Sequence, residues 1–182
     1  MTDLLVLDLV DKGLVTDQMV LTIGYDIENL TNPEISRNYH GPVTMDGYGR
    51  KIPKNAHGTE NIGRFTSSTK LITEAIMKLF DRIVDDKLLV RRITVVANHV
   101  MDENSALKAC NRYEQMDLFT DYKAKEAAEK KEKAELEKER RMQKAELSIK
   151  KKYGKNAIVK GMNLQEGATA MERNRQIGGH KA

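Results

Sequence analysis

The stretch KAKEAAEKKEKAELEKERRMQKAELSIKKK, residues 123–152, sets the first limit on what this chain can fold into. It consists almost wholly of good helix formers, and its apolar residues make no sustained heptad seam. A solvated single helix is expected, ended by Gly154. Glu126–Lys130, Glu129–Lys133 and Glu137–Arg141 should support it as i,i+4 pairs, each contributing about 0.2–0.5 kcal/mol. A segment that buries so little leaves the core to the residues before it. Hydrophobic residues make up 40% of the chain and charged residues 32%, so a compact domain can occupy only part of the length.

Charge divides near the same place. Residues 1–114 carry 14 Lys/Arg and 16 Asp/Glu, whereas residues 115–182 carry 17 and 11. A basic tail on a near-neutral domain suits a polyanionic partner, although solvated tails are often basic too. The one cysteine, Cys110, excludes an internal disulfide and any multi-cysteine metal site, and it fits a reducing cytoplasmic setting. The opening MTDLLVLDLVDKG is interrupted by Asp3, Asp8 and Asp11 and has no basic leader, so it does not read as a signal peptide. No apolar run approaches the roughly 20 residues that a membrane span needs.

The apolar residues Leu4 to Val10, with Gly13 as a C′ residue, predict a short helix ending near Lys12. MVLTIGYDI (19–27) reads as a strand. Residues 28–59 contain Pro33, Pro42, Pro53 and several glycines, and predict a long loop or irregular hairpin with DGYG as its turn. ENIGRFTSS (60–68) is a second strand. Ser67 or Ser68 then caps a helix whose apolar face is Leu71, Ile72, Ala75, Ile76, Leu79, Phe80 and Ile83. LLVRRITVVANHV (88–100) is a third strand, with Ile93, Val95 and Ala97 on one side and Arg92, Thr94, Val96 and Asn98 on the other. The order predicts an α+β fold: an antiparallel sheet with helices on one face, then the long charged helix and a flexible tail with a helical turn near 168–174. The expected divisions are 1–100, a linker at 101–122, the helix at 123–153 and the tail at 154–182.

Catalytic signals are weak. A single cysteine and four scattered histidines give no convincing triad or zinc site. GYGRK lacks the G-x-x-x-x-G-K spacing of a phosphate loop. Polar contact is the stronger theme. Alternation sets Arg92 and Thr94 on the outer sheet face, with Arg64 and Thr66 expected beside them. Ser67 and Ser68 open a helix, where first-turn N–H groups suit a phosphate. A polar outer face is common to antiparallel sheets, so alternation alone does not choose a ligand.

The stretches GYDIENL, GPVTMDGYGRKIPKNAHGT, RFTSSTKLITEAIMKLFDRI, LLVRRITVVANHV and QMDLF together resemble the C-terminal part of Y-family translesion DNA polymerases. The branch they look most like is that of the UmuC-type polymerases and UV-damage repair proteins of Gram-positive bacteria, their plasmids and phages. The tail KYGKNAIVKGMNLQEGATAMERNRQIGGHKA is similar to the end of that branch. The resemblance implies that residues 1–100 are most of a little finger, the accessory DNA-binding domain, in which two helices back a four-stranded sheet whose open face lies on the duplex. Fingers, palm and thumb are not recognisable, nor are the domain's first strand and the start of its first helix. The chain is therefore expected to be a fragment or a shortened product and no enzyme alone, with magnesium belonging to the missing palm and no cofactor here.

The same resemblance implies sequence-independent contact with damaged or primer–template DNA through Arg64, Thr66, Ser67, Ser68, Arg91, Arg92 and Thr94, with Arg50, Lys51 and Lys54 of the long loop adding to it. Gln115, Met116, Asp117, Leu118 and Phe119 are similar to the family's clamp-binding pentapeptide, which starts with Gln and ends Leu-Phe; Met116 stands where Leu is commoner. The implied partners are DNA and the β subunit of the bacterial sliding clamp, in a nucleoid-associated, SOS-type repair role. Two other readings stand beside it: an interaction protein that occupies the clamp or repair machinery without touching DNA, and the accessory chain of a split polymerase whose palm lies on a separate chain.

Overall fold

The computed structural model describes residues 1–37, 39–109, 122–177 and 180–181. The fold is mixed α+β, and the chain divides into two compact units, one of Leu14–Ala106 with Thr2, the other of Asp3–Gly13 with Met1 and Leu107–Ala182.

The second unit opens with helix α1 (Thr2–Lys12), which buries Val6, Leu7, Leu9 and Val10. It stops where the sequence placed its end: Gly13 adopts φ 67° and its N–H caps the Val10 carbonyl at 3.2 Å.

The Leu14–Ala106 unit is organised around strand β1 (Leu14–Tyr25). The chain then runs through two short helices, α2 (Glu28–Thr31) and α3 (Pro33–Ser36). A small hairpin of β2 (Val43–Met45) and β3 (Lys51–Pro53) follows, then strand β4 (Ala56–Thr66), helix α4 (Thr69–Ile83), strand β5 (Val90–Asn98) and the two-residue β6 (Met101–Asp102). The long strands pair antiparallel in the order β4–β1–β5, and β6 adds to the start of β1. As the central strand, β1 buries Met19, Leu21, Ile23 and Tyr25 at every second position.

Helix α4 covers that face. Its N-terminus is held by Ser68, whose hydroxyl accepts from the Leu71 N–H at 3.3 Å, and it buries Ile72, Ala75, Ile76 and Leu79. Leu79 joins Leu21, Ile23 and Tyr25 in one cluster, flanked by Phe80, Ile83, Ile93 and Val95. Full burial of each such side chain contributes about 1.5–3 kcal/mol. The Glu60 carboxylate of β4 accepts from Lys78 at 2.7 Å and Arg82 at 2.6 Å, tying the helix to the edge strand.

β1 starts earlier than the run beginning at Met19 suggested. Leu14 and Val15 pair with β6, and the fully buried Thr16 donates its hydroxyl to the Asn98 carbonyl and accepts from the Gln18 N–H. The stretch expected to be a loop or irregular hairpin holds the β2–β3 hairpin turned at DGYG, together with α2 and α3. Pro33 stands at the start of α3, and Asn32 caps it by accepting from the Glu34 N–H at 3.0 Å.

Helix α5 (Glu103–Ala109) follows β6, and the division between the two units falls within it. The charged helix is α6 (Tyr122–Tyr153), ended by Gly154 at φ 96°. Of the expected pairs, Glu126–Lys130 stands at 2.7 Å and Glu137–Arg141 at 3.8 Å, and a further pair joins Glu146 to Lys150 at 2.8 Å. The later turns are not solvated all round. Leu136, Arg140, Gln143, Leu147 and Lys150 form a covered stripe in which Gln143 is buried, and Lys151 pairs with Asp11 of α1. The residues beyond it contain a 3-10 turn (Gly161–Leu164), helix α7 (Ala170–Asn174) and a short pairing of β7 (Gln176–Ile177) with β8 (His180–Lys181). Among the described residues no helix is long and apolar enough to cross a membrane.

Candidate nucleic-acid interface

The face of the sheet opposite α4 is built from the alternate residues of three strands. Register sets them in rows: Asn61, Gln18 and Asn98; then Thr59, Val20 and Val96; then His57, Thr22 and Thr94; and last Gly24 beside Arg92. In the first row the Gln18 amide donates to Asn61 Oδ1 at 2.7 Å, and Asn98 donates to Gln18 Oε1 at 3.0 Å. This makes a continuous amide ladder across the sheet. In the third row Thr22 Oγ1 and His57 Nδ1 are 2.9 Å apart. Apart from Val20, Gly24 and Val96 the rows are hydrogen-bonding groups, and His57, Thr59, Asn61, Arg92 and Val96 are exposed.

Arg91 and Arg92 stand at the end of this face. Gly24 pairs with Arg92 but Tyr25 pairs with Val90, so Arg91 is an extra residue in β5, a β-bulge. The bulge frees Arg91 from the alternation that would have turned it toward the core. Both arginines are exposed, and among the described residues no carboxylate pairs with either. A Cβ at Gly24 would stand 3.6 Å from both Arg92 Cβ and Asn55 Oδ1, an ordinary contact distance.

The remaining candidates are placed differently. Between Asn61 and Thr66 the register slips, because β4 spends five residues where β1 spends two. Gly63 takes φ 85° inside this bulge. Arg64 is exposed within it and already interacts inside the chain, so it does not share a regular row with Thr66. Thr66, expected on the outer sheet face, is buried, and so are Ser67 and Ser68, expected to open a helix whose first-turn N–H groups suit a phosphate. Thr66 Oγ1 accepts from the Ser68 N–H at 3.0 Å, and Ser68 Oγ is spent on the helix cap. Sequence alternation cannot see a bulge, and it carried the polar face too far along the strand.

In the hairpin, Arg50 is engaged by its own turn. Its Nε and a terminal nitrogen donate to Asp46 Oδ2 at 2.8 and 2.7 Å, and its guanidinium lies 5.3 Å from the Tyr48 ring centre. The backbone N–H of Arg50, then its guanidinium, hold the Asp46 carboxyl below the ordinary carboxylate range. Lys51 and Lys54 are exposed. The pentapeptide Gln115–Phe119 lies outside the described residues. Among those described, no group of three or more His, Cys, Asp or Glu is placed to hold a metal ion.

Two contributors to this sheet face were missed in the sequence, and so was one residue of the separate hairpin, Tyr48. Gln18 and Asn61 pair only through register, which no single strand reveals. Tyr48 had a visible signal, an aromatic residue between Gly47 and Gly49 in a turn, and it is 87% exposed. No family model, curated protein or solved structure matches this chain.

Proposed function

We propose that this chain is the DNA-binding and clamp-tethering module of an error-prone translesion polymerase, in line with its resemblance to the Y-family C-terminal region. The observation that carries the reading is the polar sheet face, where the exposed Arg91 and Arg92 terminate rows of amides and hydroxyls. Such groups suit phosphate and sugar oxygens, and contacts of that kind position a protein on a duplex without reading its sequence. A polymerase that must accept damaged bases needs this kind of grip. Gln115–Phe119 would then tether the module to the sliding clamp and raise its local concentration on the primer terminus.

The test is duplex binding over a range of salt, followed by anisotropy, with wild type and the double variant Arg91→Ala/Arg92→Ala. Wild type should bind several unrelated duplexes alike, and affinity should fall steeply with salt. The variant should weaken binding to all of them and flatten the salt slope by roughly one unit per lost phosphate contact. A wild-type chain indifferent to DNA, or a variant impaired on one sequence alone, would sink the reading.

A further inference from the structure

The tip of the β2–β3 hairpin carries a second exposed surface unlike the polar sheet. Tyr48 is 87% exposed, Met45 68% and Val43 48%. Such side chains on a surface tip have no part in the core.

The tip is also stiff. Asp46 Oδ1 accepts the N–H groups of Tyr48 and Arg50, both at 2.9 Å, while Oδ2 takes the Arg50 guanidinium. Asp46 N–H donates to the Arg50 carbonyl at 2.9 Å, and Gly49 N–H to the Asp46 carbonyl at 3.0 Å with φ 76° at Gly49. Arg50 stacks on the Tyr48 ring at 5.3 Å, which fixes one face of it. The high exposure of Tyr48 leaves the other face of the ring uncovered. The result is a preorganised aromatic plane with one side bare.

Charge indicates what would lie on it. Residues 37–55 hold four cations, Arg37, Arg50, Lys51 and Lys54, against the single acid Asp46, which Arg50 already pairs. An apolar protein surface would gain little from this surplus. A nucleic-acid strand would use both features, its base on the ring and its phosphates on the lysines, because base–aromatic stacking tolerates any base.

We propose that the β2–β3 hairpin is a docking site for single-stranded nucleic acid, with an unpaired base stacked on Tyr48 and flanking phosphates held by Lys51 and Lys54. This rests on the reading that the Leu14–Ala106 unit binds DNA, and it adds a site for strand that has left the duplex.

The experiment compares a blunt duplex with the same duplex bearing a single-stranded extension, using the full chain, Tyr48→Ala and Tyr48→Trp. Stacking of one base should favour the extended DNA by roughly five- to hundred-fold in wild type. Tyr48→Ala should erase that preference and leave blunt-duplex affinity as it was. Tyr48→Trp should keep it, and because the chain has no other Trp, its emission should be quenched by extended DNA and not by blunt DNA. A preference that survives Tyr48→Ala, or a wild type that binds both DNAs equally, overturns the stacking site while leaving the duplex reading intact. Absence of any DNA binding overturns both. Tryptophan emission that ignores DNA but shifts with purified clamp would make the tip a protein-docking surface and overturn the site as stated.

Discussion

Gly58 of β4 lies directly against Leu79 of α4: a Cβ at Gly58 would stand 2.9 Å from Leu79 Cδ1 and 3.1 Å from Ile83 Cγ2. Leu79 is fully buried and cannot swing away, so the helix sits this close to the sheet because position 58 has no side chain. Gly58→Ala should therefore destabilise the unit by about 1–3 kcal/mol, the usual cost of overpacking, despite the better strand propensity of alanine. A urea midpoint equal to or above that of wild type would show that the helix moves aside at no cost.

Asn29 makes a different joint. It is fully buried, its amide donates to the carbonyls of Asp26 at 2.8 Å and Leu89 at 3.0 Å, and its Oδ1 accepts from the Leu89 N–H at 2.8 Å. It thereby locks the end of β1 to the residue that leads into β5 and its Arg91 bulge. Asn29→Ala should cost about 1–3 kcal/mol, because the Leu89 N–H is left unpaired. Asn29→Asp should cost more, since a carboxylate oxygen would face two carbonyls. Denaturant titration of the three proteins checks both the loss and its order.

These two residues show where sequence reading stops. Helix α4 was legible because seven apolar residues repeat at its period behind a serine cap, and the end of α1 was legible because Gly13 is the residue a left-handed cap favours. The charged helix was legible from propensity alone, since little tertiary structure competes with it before its last turns. Gly58 and Asn29 carry no local pattern: one is defined by a helix about 20 residues away, the other by a backbone 60 residues away. The two bulges are equally silent, which is why alternation set Thr66 on the outer face and gave Arg91 no direction. The tie of α6 to α1 through Lys151 and Asp11 spans still more chain, and a solvated helix was the natural expectation without it.

Glu60 should make the Leu14–Ala106 unit sensitive to acid. The hydrogen bonds from Lys78 and then Arg82 favour its ionised form and hold its carboxyl below the ordinary range. The folded state thus binds this proton less readily than the unfolded one. Its contribution is present in full above the ordinary carboxylate pKa and is lost as pH falls through the lower, folded-state value. Glu60→Gln should be less stable than wild type at neutral pH and should lose less on acidification. Urea midpoints from neutral pH into the acid range should converge for the two proteins; parallel curves would mean that the pairing adds nothing.

The tethering half of the proposal is tested at Gln115–Phe119. Gln115 offers both donors and acceptors to a small polar pocket and would set the register of a docked peptide. Met116, Leu118 and Phe119 are large apolar groups, each able to contribute about 1.5–3 kcal/mol on full burial. Fixing a peptide on a surface consumes much of that sum, so an affinity on the order of micromolar is expected. Leu118→Ala with Phe119→Ala should abolish binding to purified sliding clamp, while Arg91→Ala/Arg92→Ala should leave it intact, because DNA and clamp would be held by separate segments. Titration calorimetry with the three proteins separates the possibilities. Equal clamp binding by the Leu118/Phe119 variant, or none by wild type, would return these side chains to a structural role. A clamp affinity that falls with the arginines instead would mean that the clamp is held through the sheet end, and the division of labour proposed here would be wrong.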